Sequence, residues 1–151
     1  MFDSFSENSR VWVYTSNRFI NTDDEIVISK HLEDFVSNWN AHGALVKGTY
    51  KIYKDYFIVL VADETRTQVS GCSIDSSVKC IKAIGNALNI DFFNRLFLVT
   101  ENEGEMKRVL FHDLNHESVS FVYDTSVANL ADFKTKFKVA KEDYLKRFIV
   151  K

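Results

Sequence analysis

Residues 49–62 read TYKIYKDYFIVLVA, and this stretch decides the fold. Polar and apolar side chains alternate along residues 49–54, which is the pattern of a strand with one buried face. Asp55 and Tyr56 can form a turn, and residues 57–62 are apolar on both faces. A strand of that kind is buried on both sides. The stretch therefore predicts a β-hairpin whose second arm lies inside the molecule.

Regular patterns of apolar side chains predict further elements on either side of this hairpin. Thr22 and Glu25 have the spacing of a capping box, and apolar residues recur at helical spacing from Ile28 to Trp39. The further predicted elements are a strand at residues 10–16, a helix from Thr22 to near Gly43, a helix at 72–89, a hairpin at 96–111 with its turn at 101–104, a strand at 119–123, a short helix around Phe133 and Phe137, and a last helix at 144–149.

The order of the first six elements predicts the fold class. They read strand, helix, strand, strand, helix, strand, which is the order of the ferredoxin-like split βαβ arrangement, so we predict an α+β fold with a βαββαβ core. Residues 57–62 and 96–100 are apolar on both sides, and so large an exposed apolar patch would be unusual in a monomer. A C-terminal hairpin, strand and short helices after residue 105, or a partner chain, must therefore cover the second face of the sheet.

The length of the chain and the absence of a change in composition along it predict one domain. The chain has 151 residues, and neither a linker nor a repeat divides it. We predict a single α+β domain at residues 10–151. A polar, aperiodic and mobile N-terminal segment precedes it at residues 1–9.

The charge balance and the cysteine content restrict the classes of function. Nineteen Lys and Arg against twenty-one Asp and Glu leave a net charge of -2, which disfavours nucleic acid as a partner. Cys72 and Cys80 fit neither a disulfide framework nor a CxxC motif, so a reducing compartment is expected. The acidic N-terminus does not fit a signal peptide, and no apolar run reaches the length of a membrane span. We predict a cytoplasmic protein with no membrane segment and no cofactor.

The best candidate for chemistry is the segment SGCSIDSS at residues 70–77, between a buried strand and a helix. Free amide groups and the dipole at a helix start attract an anion and lower a thiol pKa. The alternative interpretation is structural, with capping by a polar side chain and packing of the thiol. The candidate nucleophile is Cys72, and the candidate anion-binding residues are Ser70, Gly71, Ser73, Asp75 and Arg66.

Acidic residues around the same turn are candidates for a metal site. Asp63 and Glu64 directly follow the buried strand and could meet Asp75 across the turn, which would give oxygen ligands suited to Mg²⁺. The alternative is a solvated loop. His42 is expected to interact with the C-terminal end of the first helix, and the four histidines have no zinc-site spacing.

Aromatic residues on the predicted sheet are candidates for an interface. Trp12, Tyr14 and Tyr53 could form a stacking platform of the kind found in RNA-recognition domains. Such a domain needs an aromatic and basic third strand, whereas residues 57–62 are almost entirely aliphatic. The three aromatic residues are therefore expected to lie in the core or in a protein interface.

Five short motifs carry a resemblance to a known family. They are RVWVYTSNR, WNAHG, SGCSIDSSV, FFNRL and a terminal KRF. With them the chain resembles a small uncharacterised protein family of the Bacteroidota over residues 9–149, which implies a cytoplasmic bacterial setting and no mechanism. Many members carry the label of an ABC transporter ATPase. The sequence has no GxxxxGK[ST] loop, so we do not infer that activity.

Two hypotheses of different classes follow for the function. The first is a non-enzymatic binding or regulatory module that acts through an aromatic-rich interface, formed by the sheet or by the Phe-rich C-terminal part, with a protein partner or as a homo-oligomer. The second is an enzyme or ligand sensor with an anion or small-molecule site at the start of the second long helix, around Cys72. The absence of a complete catalytic set favours the first hypothesis.

Overall fold

The computed structural model of the chain describes residues 2–148 and confirms the α+β class. In chain order the elements are β1 (Arg10–Thr15), α1 (Thr22–Asn38), β2 (Asn40–Ala41), β3 (Ala44–Leu45), β4 (Lys47–Tyr53), β5 (Phe57–Asp63), α2 (Gly71–Leu88), β6 (Phe97–Asn102), β7 (Glu105–Leu110), a 3₁₀ helix (Phe111–His116), β8 (Phe121–Tyr123), α3 (Leu130–Lys136), β9 (Lys138–Ala140) and α4 (Lys141–Lys146).

The first sheet consists of three antiparallel strands in the order β1, β5, β4. Every residue of β5 is buried, because this strand lies in the middle of the sheet and both of its faces are covered. The hairpin turn comprises residues 54–56, which include the predicted Asp55 and Tyr56, and the φ angles of Lys54 and Asp55 are 55° and 61°. The predicted hairpin with a buried second arm is therefore confirmed.

The predicted ferredoxin-like order holds for the first three strands only. β1 and β4 both run antiparallel to β5, which lies between them. The connection from β1 to β4 contains α1, as in a split βαβ unit. The fourth predicted strand, β6, pairs with β7 and β8 in a second sheet and not with β1. The outer edge of β1 instead meets residues 128–129: the Val11 amide donates to the Ala128 carbonyl, and Arg10 forms an isolated bridge with Asn129.

The physical reason for this correction lies in two buried polar residues of β6. Thr100 and Glu101 are buried, and buried polar groups need hydrogen-bond partners. The Thr100 hydroxyl donates to the Lys107 carbonyl at 2.9 Å, and Glu101 accepts from the Tyr123 hydroxyl at 2.8 Å. Both partners belong to the second sheet, whereas the core-facing side chains of β1 are apolar.

Two helices cover one face of the first sheet. Ile28 and Leu32 of α1 and Ile81 and Ile84 of α2 are buried in a cluster with Ile58 of β5. Burial of these aliphatic side chains is the main source of stability for such a layer.

The helix α1 begins at Thr22 as predicted, but its capping residues and its end differ from the prediction. Its capping box consists of Asn21 and Asp24, one residue before the predicted pair. The helix ends at Asn38, and the residues that follow form the short β2–β3 hairpin. His42 therefore lies in the turn of that hairpin, with a φ of 52°, and not at the end of the helix.

The second sheet and α3 cover the other face of the first sheet. Val99 and Tyr123 of the second sheet pack with Phe133 and Phe137 against Phe57 of β5. This confirms that elements after residue 105, joined by β6, cover the sheet on its second side. The predicted helix around Phe133 is α3, whereas Phe137 is its C-cap and the chain then enters β9.

The second sheet has the strand order β7, β6, β8, β9, and its far face is also covered. Leu114 of the 3₁₀ helix and Tyr144 of α4 pack against Val122 of β8. The molecule is therefore layered: helices, first sheet, second sheet with α3, and a last layer of the 3₁₀ helix and α4. Ile149, the predicted end of the last helix, lies outside the described residues.

The N-terminal segment packs on the domain between residues 2 and 9. Phe2 and Phe5 contact the core between the two sheets. The Ser6 amide donates to the Asp63 carboxylate at 3.3 Å, and the Leu130 amide donates to the Ser9 carbonyl. The predicted mobility of residues 1–9 stays a prediction.

Candidate functional site

The start of α2 is closed by a reciprocal serine capping box. The Ser73 amide donates to Ser70 Oγ at 3.1 Å, and the Ser70 amide donates to Ser73 Oγ at 2.6 Å. Ser73 is buried, whereas Asp75 is exposed on the first turns of the helix. The structural interpretation of this segment thus holds for Ser70 and Ser73, which serve as caps.

The capping box leaves two amide groups at this helix start without a partner inside the helix. They belong to Gly71 and Cys72, since the first amides of a helix have no intrahelical acceptor. The first turn of α2 carries no acidic residue. The helix start therefore keeps part of its capacity to attract an anion.

A small pocket lies beside this helix start. Its volume is about 200 Å³, and Cys72 and His42 both line it, although they belong to different elements. The Trp39 indole forms part of the wall and donates to the Ser73 carbonyl at 2.9 Å, which fixes α2 against the end of α1. The complete lining is Phe35, Asn38, Trp39, Asn40, His42, Ser70, Cys72, Ser73 and Ser76. An exposed thiol and an imidazole in one pocket are the groups that thiol chemistry uses.

The other predicted members of this site lie outside the pocket. Arg66 is exposed in the loop that precedes α2, and neither Arg66 nor Asp75 belongs to the lining. Cys80, the second cysteine, is half-buried, and burial raises the pKa of its thiol to about 11. Of the two cysteines, Cys72 is the one that faces solvent.

Two of the three predicted metal ligands, Asp63 and Glu64, have other partners. Asp63 accepts from the Thr65 amide at 3.0 Å, and this bond is the main reason why its pKa lies below the usual value. Glu64 accepts from the Val69 amide at 2.9 Å. Within residues 2–148 no group of three His, Cys, Asp or Glu side chains is arranged to hold a metal ion, so the structure does not bring Asp63, Glu64 and Asp75 together.

The three predicted interface aromatics lie in the cores on opposite faces of the first sheet. Trp12 packs edge-on against Trp39 with a centroid distance of 5.9 Å, and Tyr14 is buried under the helices. Tyr53 packs on the other side, against Phe133 at 5.5 Å. They do not form one surface.

An apolar surface lies at the C-terminal end of the molecule; the Phe-rich C-terminal part was one of the two predicted locations of an interface, but the residues of this surface were not predicted. It consists of Leu96, Phe111 and Phe148, whose exposed fractions are 67%, 38% and 52%. The Phe111 amide donates to the Leu96 carbonyl, and the Phe111 and Phe148 rings are 5.0 Å apart, edge to face. We call these three residues the apolar surface. The motifs FFNRL and KRF contain two of them, but no local pattern brings them together.

A buried polar network supports the second sheet behind that surface. The Glu101 carboxylate accepts from Lys138 Nζ and from the Tyr123 hydroxyl, and these two bonds, in that order, lower its pKa. Burial, reinforced by Glu101, raises the pKa of Tyr123. Every partner in this network is satisfied, so it holds β6, β8 and β9 in one register.

Comparison with known proteins gave no match: neither a family model, nor a curated protein, nor a solved structure is significantly similar to the chain. Among the helices within residues 2–148, none is long and apolar enough to cross a membrane.

Proposed function

We propose that the chain is a non-enzymatic binding module that contacts a partner protein through the apolar surface of Leu96, Phe111 and Phe148. The observation that carries this proposal is the contiguous exposure of three large apolar side chains in a molecule where most other aromatic residues are buried or half-buried. Aromatic residues are enriched in the centres of protein interfaces.

The size of the apolar surface indicates what kind of contact it supports. From their exposed fractions, the Phe111 and Phe148 rings together expose roughly 180 Å². A stable complex buries about 800 Å² on each partner, with a few residues supplying most of the binding energy. The apolar surface therefore suits the centre of a larger interface or a transient contact.

The cellular setting is part of the same proposal. Both cysteines are free, which suits a reducing compartment such as the cytoplasm. The five sequence motifs support membership of the Bacteroidota family that the chain resembles, and the proposed binding role needs no ATPase activity.

Site-specific photo-crosslinking in living cells tests the binding role. A benzophenone amino acid at position 96 is expected to give a discrete adduct, because it would lie at the interface. The matched control is position 45, because Leu45 is exposed to a similar extent, 69%, but lies on the β2–β3 hairpin. An adduct of twice the chain mass would identify a homo-oligomer, and any other mass a different partner. The same adducts from both positions, or none from position 96, would contradict the proposal.

A second candidate function is a small-molecule or anion site in the pocket beside α2. The observation that favours it is that Cys72 and His42 line one pocket at a helix start with two available amides. An imidazole and free amides at a helix start are groups that can stabilise a nucleophilic sulfur.

Alkylation rates measured against pH test this second candidate. Peptide mass spectrometry after brief iodoacetamide treatment follows Cys72 and Cys80 separately, and Cys80, with a thiol pKa of about 11, serves as the internal control. The site requires that Cys72 react several-fold faster at pH 7 than a model peptide thiol and that His42→Ala remove this difference. A rate equal to that of the model thiol would exclude Cys72 as a nucleophile.

A further inference from the structure

β7 is the outer strand of the second sheet, and its outer edge is free in the part of the chain that the structure describes. β6 pairs with β7 continuously from Glu105 to Leu110, without a bulge, and the strand contains no proline. An edge of this kind presents unpaired backbone donors and acceptors to which an extended segment can add as a further strand.

Arg108, in the middle of β7, has a buried donor without an acceptor. Its guanidinium lies over the Phe97 ring, with Cζ 4.5 Å from the ring centroid. The Arg108 Nε atom is buried and has no hydrogen-bond partner among residues 2–148. No Asp or Glu side chain within the same residues forms an ion pair with Arg108. Stacking on an aromatic ring fixes the plane of a guanidinium, whose fork of donors matches a carboxylate. The guanidinium thus keeps donors that no acidic group of the described residues pairs with.

Arg108 and Phe111 of the apolar surface are three positions apart along the chain and project from opposite faces of the sheet. Arg108 is opposite Val99, whose side chain belongs to the core between the sheets. Phe111 and Phe148 lie on the other side, where Phe148 contacts Tyr144 of α4. Successive side chains of an added strand point to opposite faces. Such a strand would meet Arg108 with one residue. Of that residue's two neighbours, the one opposite Val109 would lie diagonal to Phe111 of the apolar surface, and the other would lie opposite Lys107.

We propose that β7 accepts an extended segment of a partner protein in which a Glu or Asp faces Arg108 and the adjacent apolar residue, opposite Val109, contacts the apolar surface. This inference rests on the proposed function, because it states the chemistry of the partner that the apolar surface binds.

A second copy of the chain, paired through β7, does not supply this carboxylate. When two identical edge strands pair antiparallel around a two-fold axis, residues opposite each other project from the same face. Glu105 is the acidic residue of β7, and it projects from the face opposite to that of Arg108 because three positions separate the two. The segment that adds to β7 is therefore not β7 of a second copy.

Two capped pentapeptides, Thr-Val-Glu-Val-Thr and Thr-Val-Gln-Val-Thr, test the inference by NMR with the ¹⁵N-labelled full chain. The Glu peptide is expected to shift the backbone amides of β7, to move the Arg108 Nε–H signal downfield, and to bind about ten-fold more tightly than the Gln peptide. In Arg108→Gln the two peptides are expected to bind alike. Lys107→Gln is the matched control, because Lys107 projects from the other face and pairs with Glu117 at 2.9 Å; this variant should keep the ten-fold difference.

The outcomes separate this inference from the proposed function. Equal binding of both peptides, abolished by Leu96→Glu, would overturn the pairing with a carboxylate and leave the apolar surface as a binding surface. No shift of the β7 amides at millimolar peptide would overturn strand addition, while crosslinking at position 96 would decide the binding role independently. If Arg108→Gln failed to fold, the unchanged chain would still test the pairing of Arg108 with a carboxylate. The test would then be the difference in affinity between the two peptides and the shift of the Arg108 Nε–H signal.

Discussion

The two sheets bury their central strands by different means. In the first sheet, β5 is apolar up to Asp63, and aliphatic and aromatic side chains cover both of its faces. In the second sheet, β6 carries Thr100 and Glu101 into the interior, where hydrogen bonds from other elements satisfy Glu101. Apolar burial is non-directional, whereas a buried carboxylate is stable only with correctly placed donors. The first sheet is thus defined by composition and the second by specific partners.

The outer edges of β1 in the first sheet and β7 in the second sheet also differ in their backbone pairing. Residues 128–129 pair with the start of β1, whereas no backbone among the described residues pairs with the outer edge of β7. An open edge beside exposed apolar residues is a feature that natural proteins usually avoid unless it binds something. This difference is the reason for placing the proposed interface on the second sheet.

Truncation of a side chain between the two sheets should have the largest effect on stability. Phe57 is fully buried and contacts Tyr123 and Phe137, with ring centroids 5.4 and 5.0 Å away. We expect Phe57→Ala to lower the free energy of unfolding by about 4 kcal/mol, measured by urea denaturation. Lys51→Ala, at an exposed position of β4, should change it by no more than about 0.5 kcal/mol. Equal effects of the two changes would contradict the assignment of this core.

Removal of the buried charge in the second sheet should have the next largest effect. In the unchanged chain, the Glu101 carboxylate accepts hydrogen bonds from Tyr123 and Lys138. Glu101→Gln replaces it with a neutral amide, whose NH₂ group is a donor and cannot accept from a second donor. Because Lys138 is 42% exposed, we expect a loss of about 2 kcal/mol at pH 7, less than for a fully buried pair. Glu105→Gln, at an exposed position of β7, is the control and should be nearly neutral.

The effect of Glu101→Gln should depend on pH in a defined direction. Because the folded pKa of Glu101 is lowered from 4.5, its contribution to stability is present above the pKa of the unfolded state and is lost as the pH falls through the folded pKa. The stability difference between the unchanged chain and Glu101→Gln should therefore shrink between pH 7 and about pH 3 in urea denaturation. A difference that stays constant with pH would exclude the charge as its source.

A smaller effect is expected from a close approach of backbone in the helical layer of the first sheet. A Cβ at Gly85 would lie 2.5 Å from the Ile90 carbonyl oxygen, whereas a Cβ at Gly71 would meet open space. We expect Gly85→Ala to cost about 1.5 kcal/mol, although alanine favours helices, because the backbone after α2 must move. Gly71→Ala should be neutral or stabilising. Thermal denaturation of both variants measures the difference, and a stabilised Gly85→Ala would contradict the packing.

The smallest effect should come from the C-terminal end of the second sheet. Arg147 pairs with the buried Asp124, but its side chain is 45% exposed, so we expect Arg147→Gln to cost only about 1 kcal/mol. Lys146→Gln is the control, since Lys146 pairs with an exposed Asp143 at 3.7 Å. Equal urea midpoints for the two variants would show that the Asp124 pair adds nothing to stability.

Local sequence patterns were sufficient for the elements around β5. The aliphatic run of β5 and the periodic residues of α1 and α2 predicted the hairpin, both helices and the need for a cover on each face. The capping of α1 was misplaced by one residue because Thr22 and Asn21 both have side chains that suit an N-cap. The segment at Ser70 was predicted as a helix start, and the structure adds the reciprocal pairing with Ser73.

The candidate sites were less predictable because their residues are distant in sequence. Asp63, Glu64 and Asp75 are near in sequence, but they do not form a metal site. The carboxylates of Asp63 and Glu64 already accept hydrogen bonds from backbone amides. Cys72 and His42 come together only because Trp39 ties the end of α1 to α2. The apolar surface joins residues from three separate segments, and no periodicity relates them.

The sequence by itself determined the α+β class, the buried central strand and the two helices, because aliphatic content and periodicity act over a few neighbouring residues. Tertiary structure alone decided that β6 leaves the first sheet, that Glu101 is paired, and that Leu96, Phe111 and Phe148 share one surface. The physical reason is that a buried polar group takes its partner from wherever the folded chain presents one, and an exposed patch is defined by what the rest of the fold leaves uncovered.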